Sequence, residues 1–340
     1  MTRTRTRIRT RTRTRKFLSV IPALLLAAAS SIFGCGGDFD PGSRITGLRV
    51  LAVQADKPFA HPGEQVNLKA LWFVPQVKVA DGKFEDTFTQ WLWITCLNPE
   101  SSTVLGCFQK LAKDIQSGVT KPTDLVPFDR RDTFTVNVPN DALSSLPAEA
   151  RRNSIVGVVT IVCPGKILPV TNYDPASRTL PLRCNDGTRD LATEEYVAGI
   201  KRIFIREKDR NENPVPTRVT FDGAEWKADE IKEVGVCDTD GNRYDKCDGA
   251  DKHTVAIELT PGSFESGNDE FGVAFTEQVI TQYYATEGLF EHDVRVAKDP
   301  ATKYVARKAA AGQTLKMWLV ARDNRGGVVW EQRQVKVKPL

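Results

Sequence analysis

Histidine is scarce in this 340-residue chain, with three in all, and the patterns that turn it into a catalytic or metal site are missing. His61 sits in a Pro-Gly turn, His253 opens an apolar run, and His292 lies in Glu291-His292-Asp293. There is no His-Glu-x-x-His pair and no Gly-x-Ser-x-Gly elbow, which removes the sequence signatures of zinc proteases and of α/β-hydrolases. Cys-x-x-Cys is absent, so a zinc site has no support. A Gly-rich loop ahead of a helix, the usual phosphate cradle, is absent too, because Gly326-Gly327 belongs to a turn between two strand patterns. Carboxylates are plentiful but show no pairing specific to glycoside hydrolysis. Beyond residue 34 no run reaches the roughly 20 apolar residues that a membrane helix needs. The expectation is a protein that is not an enzyme and holds no cofactor.

What the chain does have begins at its first residue. Residues 1–16 alternate Arg and Thr and end in Lys16, with eight positive charges and no acid. Phe17 to Ala29 is apolar apart from Ser19, and Ser30, Ser31, Ile32, Phe33, Gly34 and Cys35 follow. A basic start, a short apolar stretch and a small-residue boundary make a secretory signal peptide. The same basic block on its own would suggest an arm for nucleic acid. Charge excludes that use: the leader holds 8 of the 47 Lys and Arg and none of the 43 Asp and Glu, so the formal +4 becomes 39 against 43, or −4, once it is removed. No nucleic-acid partner is expected.

Ile32-Phe33-Gly34-Cys35 resembles the lipobox of bacterial lipoproteins, an aliphatic residue and two small ones before the cysteine that receives lipid. Phe33 stands where the family has a small side chain. The resemblance implies cleavage before Cys35, a diacylglyceryl thioether on its sulfur and usually a third acyl chain on the new amine. Two or three chains, at about 0.8 kcal/mol per buried methylene, make a stable anchor. Gly36 rather than Asp at the next position implies, by the same resemblance, an outer-membrane destination. The expected organisation is a signal peptide over 1–34, a flexible tether over 35–44, and two domains at 45–212 and 213–340.

Six cysteines remain: Cys96, Cys107, Cys163, Cys184, Cys237 and Cys247. An even count in an exported chain suggests disulfides. Six allow 15 pairings, and order along the chain favours the three local ones, Cys96–Cys107, Cys163–Cys184 and Cys237–Cys247.

From Ile45 the apolar period is mostly two, which predicts strands. They are expected at 48–53, 66–71, 90–95, 133–138, 155–162 and 198–206. After the polar stretch Asp209 to Pro214, a boundary signal, more are expected at 217–221, 253–259, 277–285 and 293–297. A hairpin over 315–337 turns at Asp323-Asn324-Arg325-Gly326-Gly327. The stretches 98–130 and 164–196 read as long loops, and a short helix is expected near 141–152, capped by Asp141. A strand, a Pro-Gly turn and a Val66-x-Leu68-x-Ala70 strand resemble the start of bacterial immunoglobulin-like domains. The expected fold is therefore all-β, two immunoglobulin-like β-sandwiches, without the antibody pattern of a disulfide between the sheets. One larger β-structure is the alternative. The six tryptophans are expected in cores.

Cys237 to Asp248 carries Asp238, Asp240, Asn242 and Asp245 at near-alternate positions, a faint likeness to calcium loops of the Asp-x-Asp-Gly-Asn kind. Gly241 comes fourth and no Glu closes the loop, so a solvated turn across a disulfide is preferred to a metal site. The functional expectation is a noncatalytic, lipid-anchored module that binds or scaffolds an envelope protein or glycan. A carbohydrate-binding accessory protein and an extracytoplasmic hydrolase are the alternatives.

Overall fold

Alternation decides the first strands. In Gln65–Phe73 the side chains of Val66, Leu68 and Ala70 are buried while Gln65, Asn67 and Lys69 face water. Such a strand must lay its apolar face on another layer. The computed structural model describes residues 41–78, 83–99, 101–121, 125–170, 182–237, 244–248 and 251–340, and shows how these layers are met. Cys35, Asp238, Asp240 and Asn242 lie outside the described residues.

The first half contains β1 (Arg49–Ala55), β2 (Phe59–Ala60), β3 (Gln65–Phe73), β4 (Gln76–Lys78), β5 (Phe84–Asp86) and β6 (Gln90–Leu97). Helix α1 (Val104–Gln116) follows, then β7 (Phe128–Asp129), β8 (Thr133–Asn137), β9 (Ile155–Cys163), β10 (Lys166–Pro169), β11 (Leu182–Asn185) and β12 (Val197–Ile205). One sheet runs β1-β3-β8 and faces a second, β2-β12-β9-β6-β7. Val66, Leu68, Trp91, Trp93, Val158 and Ile203 fill the space between them. The outer face of β6 and β9 is apolar as well, and α1 and the β10-β11 hairpin cover it with Cys107, Leu111 and Ile167. That double burial explains why all of β9 and most of β6 are buried, with Thr160 the one polar side chain of β9.

The second half contains β13 (Pro216–Phe221), β14 (Ala224–Glu225), β15 (Ile231–Val234), β16 (Val236–Cys237), β17 (His253–Leu259), β18 (Ser266–Asn268) and β19 (Ala274–Thr276). It continues with β20 (Val279–Ala285), β21 (Leu289–Phe290), β22 (Val294–Val296), β23 (Thr302–Arg307), β24 (Thr314–Asp323) and β25 (Val328–Val337). One sheet, β14-β13-β17-β23-β16, faces another, β15-β25-β24-β20-β22. Trp226, Tyr283, Tyr304 and Met317 are fully buried between them.

The two halves repeat one topology. In each, the first long strand joins a three-strand path (β1-β3-β8 and β13-β17-β23), and a later short strand crosses to the other sheet. There it pairs in parallel with the final strand of its half, β2 with β12 and β15 with β25. This is an all-β chain of two immunoglobulin-like sandwiches. Among the described residues no disulfide joins two facing sheets: Cys96–Cys107 ties β6 to α1, Cys163–Cys184 ties β9 to β11, and Cys237–Cys247 closes a local loop.

Four local expectations are corrected. Residues 98–130, read as loop, hold α1: Thr103 caps it by accepting from the Gly106 N–H at 3.2 Å, and Val104, Cys107, Phe108, Leu111 and Ile115 make its buried stripe. Residues 164–196 hold the β10-β11 hairpin. The helix expected at 141–152 is a 3-10 segment over Ala148–Asn153, entered through Pro147 rather than capped by Asp141. The end of the expected tether, residues 41–44, runs along β20: the Ala285 N–H donates to Ser43 O at 3.0 Å, and the Ile45 N–H donates to Ala285 O at 2.8 Å.

Candidate functional site

The sequence candidates do not converge. Asp245 lies in the 3-10 turn Tyr244–Lys246 beside Cys247. Among the described residues no three His, Cys, Asp or Glu side chains gather as a metal site would require. His61 and His292 act through their backbones: the His61 N–H donates to Glu64 at 2.8 Å, and the His292 N–H donates to the Thr302 hydroxyl at 3.1 Å. His253 has a carboxylate on its ring, Nδ1 lying 2.8 Å from Asp222 Oδ2. Its ring stacks on Phe221, and its buried Nε2 has no hydrogen-bond partner. A triad needs a nucleophile at that nitrogen. Among the described residues the pair orients a ring and serves no hydroxyl or thiol.

The tryptophans are structural. Trp91, Trp93, Trp226 and Trp318 are buried and Trp72 and Trp330 half-buried. Trp93 stacks on Phe134 with ring centroids 5.5 Å apart. Trp318, with Val320 and Val328, packs against Ile45, Leu51 and Leu71 of the first half and so closes the seam between the sandwiches.

Polar groups gather instead along that seam. A cleft of about 550 Å³ opens between β1 and β12 of the first sandwich and the β24-β25 hairpin of the second. On β12, Val197, Gly199, Lys201, Ile203 and Ile205 share the inward face, and Ile203 and Ile205 belong to the core. Alternation therefore turns Lys201 inward, where it is 8% exposed. Its Nζ donates to the Gly326 carbonyl and, among the described residues, to no other group. Loss of water around the ammonium pulls its pKa down to about 8, with the Arg322 charge acting the same way and Asp323 opposing. Arg322, also lowered by burial, donates to Leu51 O and, at 2.7 Å, to Gln282. Asp323 spends its oxygens inside the turn, on the N–H groups of Arg325 and Gly327 at 2.8 Å each and on Asn211 at 3.3 Å. The Thr160 hydroxyl, in the same lining, is buried and unpartnered.

Beside the cleft the seam is held by cations on rings. The Arg325 guanidinium lies 3.8 Å from the Phe275 centroid and 4.8 Å from that of Phe59, and Arg206 lies 5.1 Å from Phe59. Sequence reasoning missed Lys201, although its register with Ile203 and Ile205 was a usable signal. Arg206 and Arg325 had none, because each rests on rings drawn from both sandwiches, Phe59 and Phe271 for Arg206 and Phe275 and Phe59 for Arg325.

No protein-family model matches the chain, and no curated protein matches it. Among solved structures it is similar to the three N-terminal domains of the highly immunogenic outer capsid protein (Hoc) of bacteriophage RB49. That likeness has 10% identity and TM-score 0.22, over 86% of this chain and 70% of the other. It is also similar to dimeric latent PorU of Porphyromonas gingivalis (10%, TM-score 0.20, 86% of this chain and 24% of that one). A third is E. coli alpha-2-macroglobulin in its native conformation (7%, TM-score 0.21, 88% and 17%). Scores this low carry no argument, and the fold stands on the strand pairing of the chain itself.

Proposed function

We propose that this chain is a noncatalytic lipoprotein of the cell envelope, anchored through lipid on Cys35, probing its surroundings with two joined β-sandwiches that bind or scaffold an envelope protein or glycan. The observation that carries the reading is the order of its first 35 residues: eight cations, a short apolar run, then Ile32-Phe33-Gly34-Cys35. Three disulfides agree with an oxidising, extracytoplasmic compartment. An outer-membrane address follows from Gly36 by resemblance. Burial of Trp91, Trp93, Trp226 and Trp318 speaks against an exposed aromatic platform for sugars. Replacing Cys35 by Ser is expected to abolish incorporation of a palmitate analogue and to release the protein from membranes. Labelling unchanged in that variant would overturn the anchor.

A further inference from the structure

We propose that the cleft between the two sandwiches binds a small organic anion, with a carboxylate seated at Lys201 and an apolar body against Val50, Val53, Val197 and Val328. The inference rests on the reading of the chain as a binding module and names the class of ligand it would take. Four observations point the same way. The cleft, about 550 Å³, lies within the 300–1,000 Å³ typical of small-molecule sites. Its walls combine aliphatic side chains, among them Val50, Val53, Val197 and Val328, with a few fixed polar groups, a mixture such sites share.

The charge inside is unbalanced. Lys201 and Arg322 line the cleft against the single carboxylate of Asp323, which is spent on the turn and on Asn211, while the neighbouring Arg202 side chain is exposed and donates to Ser102 O at 2.7 Å. Buried ammonium groups are ordinarily paired. Lys201 gives one of its three protons to the Gly326 carbonyl and has no carboxylate partner among the described residues. An anion would supply the missing charge. The fourth observation is Thr160: its hydroxyl, 98% buried by the residue's 2% exposure, borders the cleft without a partner. A carboxylate's second oxygen gives that hydroxyl an acceptor.

The wall also leaves room. Gly199, two residues from Lys201 on the same face, would meet nothing within 4 Å if it carried a Cβ. A larger side chain there enters the space assigned to the ligand's apolar body without opposing the backbone.

The test is thermal melting of the full chain in detergent, with sodium hexanoate, sodium acetate or 1-hexanol added at constant ionic strength set by sodium chloride. Hexanoate is expected to raise the midpoint by several degrees through mass action, acetate less, and hexanol not at all. Lys201→Met should remove the response by deleting the charge. Gly199→Leu should remove it by filling the cleft while keeping Lys201, and melting without ligand reports whether each variant is folded. Equal shifts with hexanol and hexanoate, shifts that survive both substitutions, or no shift with either carboxylate would each overturn the proposal. Those results leave the Cys35 experiment untouched. Recovery of chemically altered hexanoate would instead contradict the noncatalytic reading and leave the site standing.

Discussion

Gly157 shows how single residues set this fold. It sits on β9 opposite Cys96, and a Cβ there would lie 2.7 Å from the sulfurs of both Cys96 and Cys107. The missing side chain is what lets the bridge reach from sheet to helix. Lys201 makes the opposite kind of demand, a charge held where water is scarce. Its pKa is lower in the folded chain, about 8 against an ordinary 10.5, so between these values the unfolded chain binds the proton more tightly. Stability from this group therefore rises as pH climbs from 8 to 10.5, and the penalty is fully present below 8. Urea unfolding across that range should show the rise in the native protein and not in Lys201→Met. The difference is expected to be on the order of 3 kcal/mol; parallel profiles would mean that the ammonium is hydrated.

Elements differ in how plainly the sequence declares them. The hairpin β24-β25 was legible because Asp323 to Gly327 supplies turn residues between two alternating runs, and its register, from Thr314 with Lys336 to Arg322 with Val328, follows. Helix α1 was not, although its apolar residues at 104, 107, 108, 111 and 115 keep helical spacing, because a Cys96–Cys107 bridge is equally compatible with a loop. The β18-β19 hairpin was hidden for a different reason, since its polar tip works by gripping another segment. There the Glu270 carboxylate accepts from the N–H groups of Glu207, Lys208 and Asp209 at 3.2, 2.7 and 3.0 Å, and Asp209 accepts from the Glu270 N–H at 2.8 Å. Burial pushes the Glu270 pKa up, but these N–H groups and the Arg206 charge outweigh it and hold it below the usual value. The grip is then intact above about pH 4.5 and fades as pH falls toward the lower folded value. Glu270→Gln is expected to cost about 1.5–3 kcal/mol at pH 7, the range for hydrogen bonds to charged groups, and to flatten the loss of stability in acid. A variant as stable as the parent in urea at pH 7 would show that the hairpin grips nothing of consequence.

At the scale of the molecule, the polar stretch Asp209 to Pro214 marks where one sandwich gives way to the next, yet it is bound along its length. Asn213 donates to Ala55 O at 2.8 Å and accepts from the Val328 N–H at 2.9 Å, so its side chain bridges both halves. Arg210 forms two bonds to Glu64, at 3.0 and 2.9 Å. Alternation reports strands and their inward faces but not which outer face meets another domain, so the roles of Trp318 and of residues 41–45 were out of reach. Both bear on whether the halves are separable. The second sandwich has a core of its own around Trp226, Tyr283, Tyr304 and Met317. Cut free as Pro214–Leu340, it keeps that core and exposes Trp318, Val320 and Val328, which the first half covers. It also loses the two backbone bonds at Ala285 and the ion pair of Arg44 with Glu287 at 3.7 Å. Burying an apolar side chain of this size is worth about 1.5–3 kcal/mol, so the loss over three of them is comparable to the whole stability of many small domains. The fragment is expected to unfold in one cooperative step, at a clearly lower urea midpoint than the full chain, and to self-associate through the uncovered face. Trp318→Lys in the fragment should restore a monomer without lowering the midpoint further, because the side chain faces outward from the core. A fragment that melts without cooperativity would show that the two sandwiches fold only together.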